Sequence, residues 1–188
     1  MRTCKACKKR YEATRPMQQA CSVECAMQIA NKKRSAIIQS KIKEDKRADR
    51  ERKVKLKTRS DYIKEAQVAF NRYIRLRDAG KLCICCSMPL GLFSVGGAYD
   101  CGHYRSVGSA PHLRFDERNA HAQRKQCNRH GAGRAVDYRR GLVERYGVAY
   151  VEDLERDQSP KHYTIEDLKA IKTKYRALTK ALTRGDAA

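Results

Sequence analysis

The sequence predicts an α+β chain: a small strand–loop–helix core with flanking helices, preceded by a cysteine-rich segment and a long basic helix. Three observations lead to this reading. Cysteines stand in close pairs near the N-terminus, Cys4 with Cys7 and Cys21 with Cys25. From about Ala26 to Arg59 the chain has no Gly or Pro and is dense in charges of both signs. Finally, short apolar stretches broken by Gly91, Gly96 and Gly97 lead into DCGHYRSVGSAPHLRFDERNAHAQRKQCN, Asp100 to Asn128, where imidazoles, amides and a carboxylate collect. The expected organisation is a zinc-binding cysteine module over 1–28, a basic helical linker over 29–59, and a catalytic domain with flanking helices over 60–188.

Composition narrows the partner. The 188 residues carry 42 Lys and Arg against 21 Asp and Glu, a net charge of +21, with 41% hydrophobic residues and no Trp. Such a chain is too poor in apolar residues for a single core enclosing all of it. Its cationic excess suits nucleic acid, because neutralising phosphates releases condensed counterions. A membrane surface is not the expected partner, since the basic helix lacks a matching Leu-rich or aromatic face. No apolar run resembles a signal peptide or a membrane span. The expected location is therefore the cytoplasm, where nine cysteines read as metal ligands or thiols rather than disulfides.

Each element follows from local chemistry. The CxxC and CxxxC pairs suit two knuckles gripping one structural, tetrahedral Zn²⁺, and so short a segment would draw much of its folding energy from the metal. In KIKEDKRADRERKVKLK, Asp49 with Lys53 and Glu51 with Lys55 fall at i,i+4 spacing, which predicts a long exposed helix or fraying linker carrying a basic arm. Ser60 can cap the next helix, whose stripe Tyr62, Ala66, Phe70, Tyr73 and Ile74 runs until Gly80. Turn signals between Leu82 and Tyr104 predict a β-hairpin with its second strand over about 98–105, and residues from Asn119 onward are expected to enter a helix. About Ala135 to Tyr146 reads as helix despite Gly141. Thr164 with Asp167 forms a capping box opening a last helix to about Leu182.

Within the 100–128 segment, His103 has the right ordinary pKa, about 6.5, to take a proton from water near neutrality. Asn119 can orient that imidazole without competing for the proton. Asn128 and Asp100 offer hard oxygens suited to Mg²⁺ or Mn²⁺. His121 is a further candidate metal ligand or phosphate contact, or an exposed loop histidine. Arg105, Arg114, Arg118, Arg124, Lys125 and Arg129 are the candidate phosphate contacts around this site.

The segment resembles the HNH, or ββα-metal, nucleases. By that resemblance His103 is the base on the second strand, Asn119 the positioning amide and Asn128 the metal ligand. It also implies a second zinc knuckle, with Cys83 and Cys86 as first pair and positions 124 and 127 as the second; position 124 is Arg, leaving Cys127. Cys85, Cys101 or His130 is then the replacement ligand, or packing replaces the metal. Gly102 stands where many relatives have Asp, and Asp100 serves as ligand only if a bulge at Gly102 turns it to the face of His103. Further, the blocks DCGHYRS, APHLRF, ERNAH and CN, the N-terminal cysteine pairs and the closing TIEDLKAIKTKY resemble the phage NinG (Rap) recombination proteins over nearly the whole chain. This implies a phage-encoded, structure-selective endonuclease cutting Holliday junctions and D-loops in the bacterial host cell. A homodimer would match the symmetry of a four-way junction, and a phage or host recombinase is a further expected partner. The alternative is a non-catalytic, zinc-containing DNA-binding accessory protein of recombination, which accounts for the charge and cysteines but not for the base–amide–ligand series.

Overall fold

A computed structural model describes residues 1–91, 97–131 and 133–185. It divides into two units, Met1–Lys57 and Thr58–Ala188. No helix among the described residues is long and apolar enough to cross a membrane.

In the first unit, β1 (Arg2–Thr3) pairs antiparallel with β2 (Arg10–Tyr11). The chain between them folds as a knuckle: Cys4 N–H donates to the Lys9 carbonyl at 2.9 Å and Lys8 N–H to the Cys4 carbonyl at 3.0 Å, with Lys8 at φ 64°. Helix α1 (Val23–Lys55) begins three residues before the expected start, because Ser22 caps it by accepting from Cys25 N–H at 3.3 Å. Its buried contacts are confined to the first turns, where Cys25 and Ile29 join Cys4 and Ala20. From Ala30 to Lys55 every residue is exposed. The ion pairs there run Arg47–Glu51 and Asp49–Arg52, each at 3.6 Å, not Asp49–Lys53 and Glu51–Lys55. Such exposed pairs contribute little.

The second unit opens with α2 (Arg59–Arg77). Its cap is Thr58, not Ser60: the Thr58 hydroxyl accepts from Asp61 N–H while the Asp61 carboxylate accepts from Thr58 N–H at 2.9 Å, a reciprocal box that Ser60, already inside the helix, cannot form. Strand β3 (Tyr99–His103) lies where the second hairpin strand is expected, but its partner is β4 (Ala120–Arg124), with His103 opposite Ala120 and Asp100 opposite Gln123. Residues from Asn119 thus enter a strand before the wide helical turn Gln126–His130. The physical reason is that 82–90 closes on itself. Cys83 N–H donates to the Met88 carbonyl, Ser87 N–H returns to the Cys83 carbonyl, and only the bridge Leu82–Pro89 is strand-like. Gly96, one of the expected turn residues, lies outside the described residues.

Three helices follow: α3 (Ala135–Tyr146), α4 (Val148–Arg156) and α5 (Ile165–Arg184). The Thr164–Asp167 box opens α5 as expected. Gly141 sits inside α3 because a Cβ there would meet the Ile84 carbonyl oxygen at 1.8 Å, so the glycine lets the helix press on the closed 82–90 segment, a second knuckle. One apolar core joins α2 and α5 to the sheet through Phe70, Ile74, Cys101, Ala120, Leu168 and Tyr175. The other joins α3 and α4 to the knuckle through Ile84, Ala122, Tyr138, Leu142, Val151 and Leu154. Buried Asp78, at the end of α2, accepts from Ala122 N–H at 3.0 Å and pairs with Arg77 at 2.9 Å, fastening β4 to that helix.

Candidate functional site

His103 ends β3 half-buried, its ring 6.0 Å from that of Phe70. Nε2 lies 3.1 Å from the Arg114 carbonyl oxygen. A carbonyl only accepts, so Nε2 carries the proton and Nδ1 keeps a lone pair. Burial lowers the pKa of the ring, outweighing the opposing pull of the Arg114 carbonyl, so the imidazole stays neutral at neutral pH. His103 and Asn128 line one open groove of about 710 Å³, together with Tyr104, Arg105, Ser106 and Glu155.

Asn119 is fully buried, and its side-chain hydrogen bonds do not go to the imidazole. Its Oδ1 accepts from Arg105 N–H at 2.8 Å, and Nδ2 donates to the carbonyls of Arg105, 2.9 Å, and Leu113, 3.3 Å. It therefore clamps both ends of the 105–113 loop, beside the Arg114 carbonyl that holds His103. The bonds of Asn119 thus go to the backbone of the loop and not to the ring, their expected target.

Asp100 and Asn128 meet: Asn128 Nδ2 donates to Asp100 Oδ2 at 3.2 Å, leaving Asn128 Oδ1 out of that bond. Arg129 grips the same carboxylate at 2.7 and 3.0 Å. Although burial works to raise the Asp100 pKa, these two donors outweigh it and hold the carboxylate ionised. The β3–β4 register runs without a bulge at Gly102, so Asp100 and His103 keep opposite faces of the strand. Gly102 is there for space, since a Cβ would meet Gln123 Oε1 at 2.1 Å.

His121 is neither an exposed loop residue nor close to these oxygens. It is 2% exposed, with Nδ1 at 3.2 Å from the Tyr138 hydroxyl, which itself donates to the Gly102 carbonyl. Burial draws its pKa down to about 3, and the ring packs among Tyr138 and Tyr146. It packs between the sheet and α3 and is not among the residues lining the His103 groove.

The cations divide. Arg105 is spent on the end of α4: Nη1 donates to the Leu154, Glu155 and Asp157 carbonyls and Nη2 to Gln158, so it caps a helix instead of offering itself to phosphate. Arg118 pairs with Asp116 at 2.7 Å, and Arg114 donates to Gln67 at 3.2 Å. Arg124 is half-buried, its backbone N–H turned to the Cys83 sulfur at 3.4 Å. Lys125, also half-buried, leads into the helical turn that carries Asn128 and Arg129. Two groove residues had no sequence signal. Tyr104 donates to Glu155, which also takes Arg139 Nε at 2.9 Å; the partners lie on different elements far apart in the chain.

Two groups of thiols converge among the described residues: Cys4, Cys7, Cys21 and Cys25, and Cys83, Cys86 and Cys127, each with its sulfurs within 4.8 Å of one another. All nine cysteines are free. Sulfurs 2.3 Å from a tetrahedral zinc stand about 3.8 Å apart. Here Cys7–Cys21, Cys21–Cys25 and Cys86–Cys127 are 3.5, 3.7 and 3.6 Å apart. Backbone N–H of Cys7 draws Cys4 down to about 6, while the neighbouring Cys7 thiol pushes Cys21 up to about 12; crowded sulfurs ionise together only around a cation. Both groups could hold zinc. The two knuckles share one backbone pattern, Cys83–Met88 repeating Cys4–Lys9, with Ser87 at φ 50° in the place of Lys8. Among the described residues no fourth His, Cys, Asp or Glu ligand joins the second group. Cys85 turns to Gln123 Nε2 and the Gly133 carbonyl, Cys101 is buried in the α2–α5 core, and His130 stands outside the cluster. Arg134 Nη1 instead approaches Cys127 Sγ at 3.9 Å.

Fold and site define the class: an α+β chain with two thiol clusters able to hold zinc and a groove bringing His103 and Asn128 together. The family model described as bacteriophage lambda NinG protein matches residues 1–186, and the chain belongs to this NinG family. Protein ninG of Salmonella phage P22 is 40% identical over 209 aligned positions, covering 100% of this chain and 97% of that protein. Protein ninG of Escherichia phage lambda is 38% identical over 209 positions with the same coverage, and that of Escherichia phage 933W 38% over 207. No solved structure matches the chain.

Proposed function

We propose that this chain is a metal-dependent, structure-selective DNA endonuclease with an HNH-like site, cutting branched recombination intermediates such as Holliday junctions and D-loops by phosphodiester hydrolysis. The observation that carries this reading is the neutral His103, tied through Nε2–H to the Arg114 carbonyl and lining one groove with Asn128. A water in that groove loses its proton to Nδ1 as it attacks phosphorus. Proton transfer to Nδ1 leaves an imidazolium still donating through Nε2 to the carbonyl, so the charged form is stabilised as it develops. Asn119 keeps the carbonyl-bearing loop in place. The Asn128 Oδ1 left out of its bond to Asp100 is a hard oxygen suited to a divalent cation in the His103 groove, whereas Asp100, on the opposite face of β3 and gripped by Arg129, braces Asn128 from behind. Mg²⁺ or Mn²⁺ held there would neutralise charge on the scissile phosphate and leaving oxygen. The thiol clusters, by contrast, are soft sites for structural zinc. Branched DNA as substrate, a homodimer matching its symmetry, and a recombinase partner follow from the likeness to recombination proteins.

The test is His103→Ala on four-way junctions and linear duplex with Mg²⁺ or Mn²⁺. Cutting is expected to fall by roughly 10²–10⁴-fold with binding retained. Full cutting by the variant would remove the assigned base, and no cutting by the parent chain with any metal would favour the accessory DNA-binding role.

A further inference from the structure

Helices α2 and α5 enclose a second groove of about 470 Å³ that shares no residue with the His103 groove. Arg72 on α2 and Arg176 and Lys180 on α5 line it, all three exposed and without an ion pair among the described residues. The carboxylate at its edge, Glu65, is taken up by Lys172 at 2.6 Å. In the wall sits Thr179, 7% exposed, whose Oγ1 has no hydrogen-bond partner. Other threonines of this helix satisfy their hydroxyls on the preceding turn: Thr173 donates to the Lys169 carbonyl and Thr183 to the Lys180 carbonyl, both at 2.9 Å. That oxygen is itself shielded, so Thr179 belongs to the packed floor of the groove and the chemistry of a ligand is set by the rim. Three cations without ion pairs among the described residues specify an anion.

We infer that the α2–α5 groove is a phosphate-binding site holding the sugar–phosphate backbone of DNA apart from the His103 groove, through Arg72, Arg176 and Lys180. The inference rests on the proposed DNA substrate but not on cleavage. A branched molecule offers a separate arm for such a site, and the cations identify the backbone, not a base sequence, as what is held.

The test is binding of the full, zinc-loaded chain to a labelled four-way junction and to linear duplex across a salt series, with no other divalent cation added. In the Arg176→Glu, Lys180→Glu double variant the slope of log affinity against log salt should shrink by about 2, near 0.9 for each lost phosphate contact. Arg72→Gln, at an exposed position on the other helix, should shrink the slope by about 0.9 and serves where the double variant folds poorly. Unchanged affinity and slope in either folded variant would overturn the site. Cutting by His103→Ala is read separately, so either proposal can fail with the other intact.

Discussion

The tautomer of His103, on which its proposed role as base rests, depends on one hydrogen bond. Because the Arg114 carbonyl fixes the proton on Nε2, the free lone pair sits on Nδ1. Burial then lowers the pKa from its ordinary 6.5. A base must be unprotonated to act, and a lowered pKa extends its working range downward. The acid limb of kcat/KM against pH should therefore fall at an apparent pKa below 6.5, with activity lost as pH drops through it; a limb above 6.5 would exclude His103 as the titrating base. Asn119 shows the complementary case of a residue acting at one remove. Asn119→Ala would leave three backbone groups unpaired around a fully buried site. Denaturant unfolding should report a loss of about 3 kcal/mol, roughly 1 per bond, along with reduced cutting from a displaced His103.

Elements whose ends carry their own chemistry were legible in sequence. The Thr164–Asp167 box and the span Ala135–Tyr146 match the expectation because caps and apolar spacing act within a turn or two. Strand pairing did not follow from such signals. Both 82–90 and 120–124 carry apolar residues, and only the knuckle bonds within 83–88 show that the first segment is already closed. Helix α4 escaped notice although Val151 and Leu154 sit at helical spacing, since nine residues give too few repeats to stand out. The first unit poses a different dependence. Its buried set is Cys4, Ala20 and Cys25, too little apolar area for a fold to stand on. Chelation of zinc should abolish its ordered structure, seen as loss of amide-exchange protection over Arg2–Tyr11, while α2 and α5 stay protected.

For the whole molecule, charge is distributed unevenly. Residues 1–57 hold 18 Lys and Arg against 6 Asp and Glu, and the exposed length of α1 pairs few of them. In the second unit many arginines are occupied with carboxylates or carbonyls, Arg105, Arg118 and Arg129 among them. DNA affinity should accordingly fall steeply with salt, and neutralising lysines of α1 should flatten that dependence without altering the rate of cutting at saturating DNA. A binding constant indifferent to salt would contradict a backbone-directed arm.

Composition, spacing and caps determine by themselves that this is an α+β chain with a cationic excess, four thiols paired as a metal could use them and a His–Asn–Asn series, because each depends on residue type or on neighbours a few positions apart. Which residues those side chains engage is decided by packing. Arg105 meets α4, His121 enters the core under Tyr138, and Asn119 holds a loop rather than a ring, since each partner arrives from another element and is invisible until the sheet and helices have closed around it.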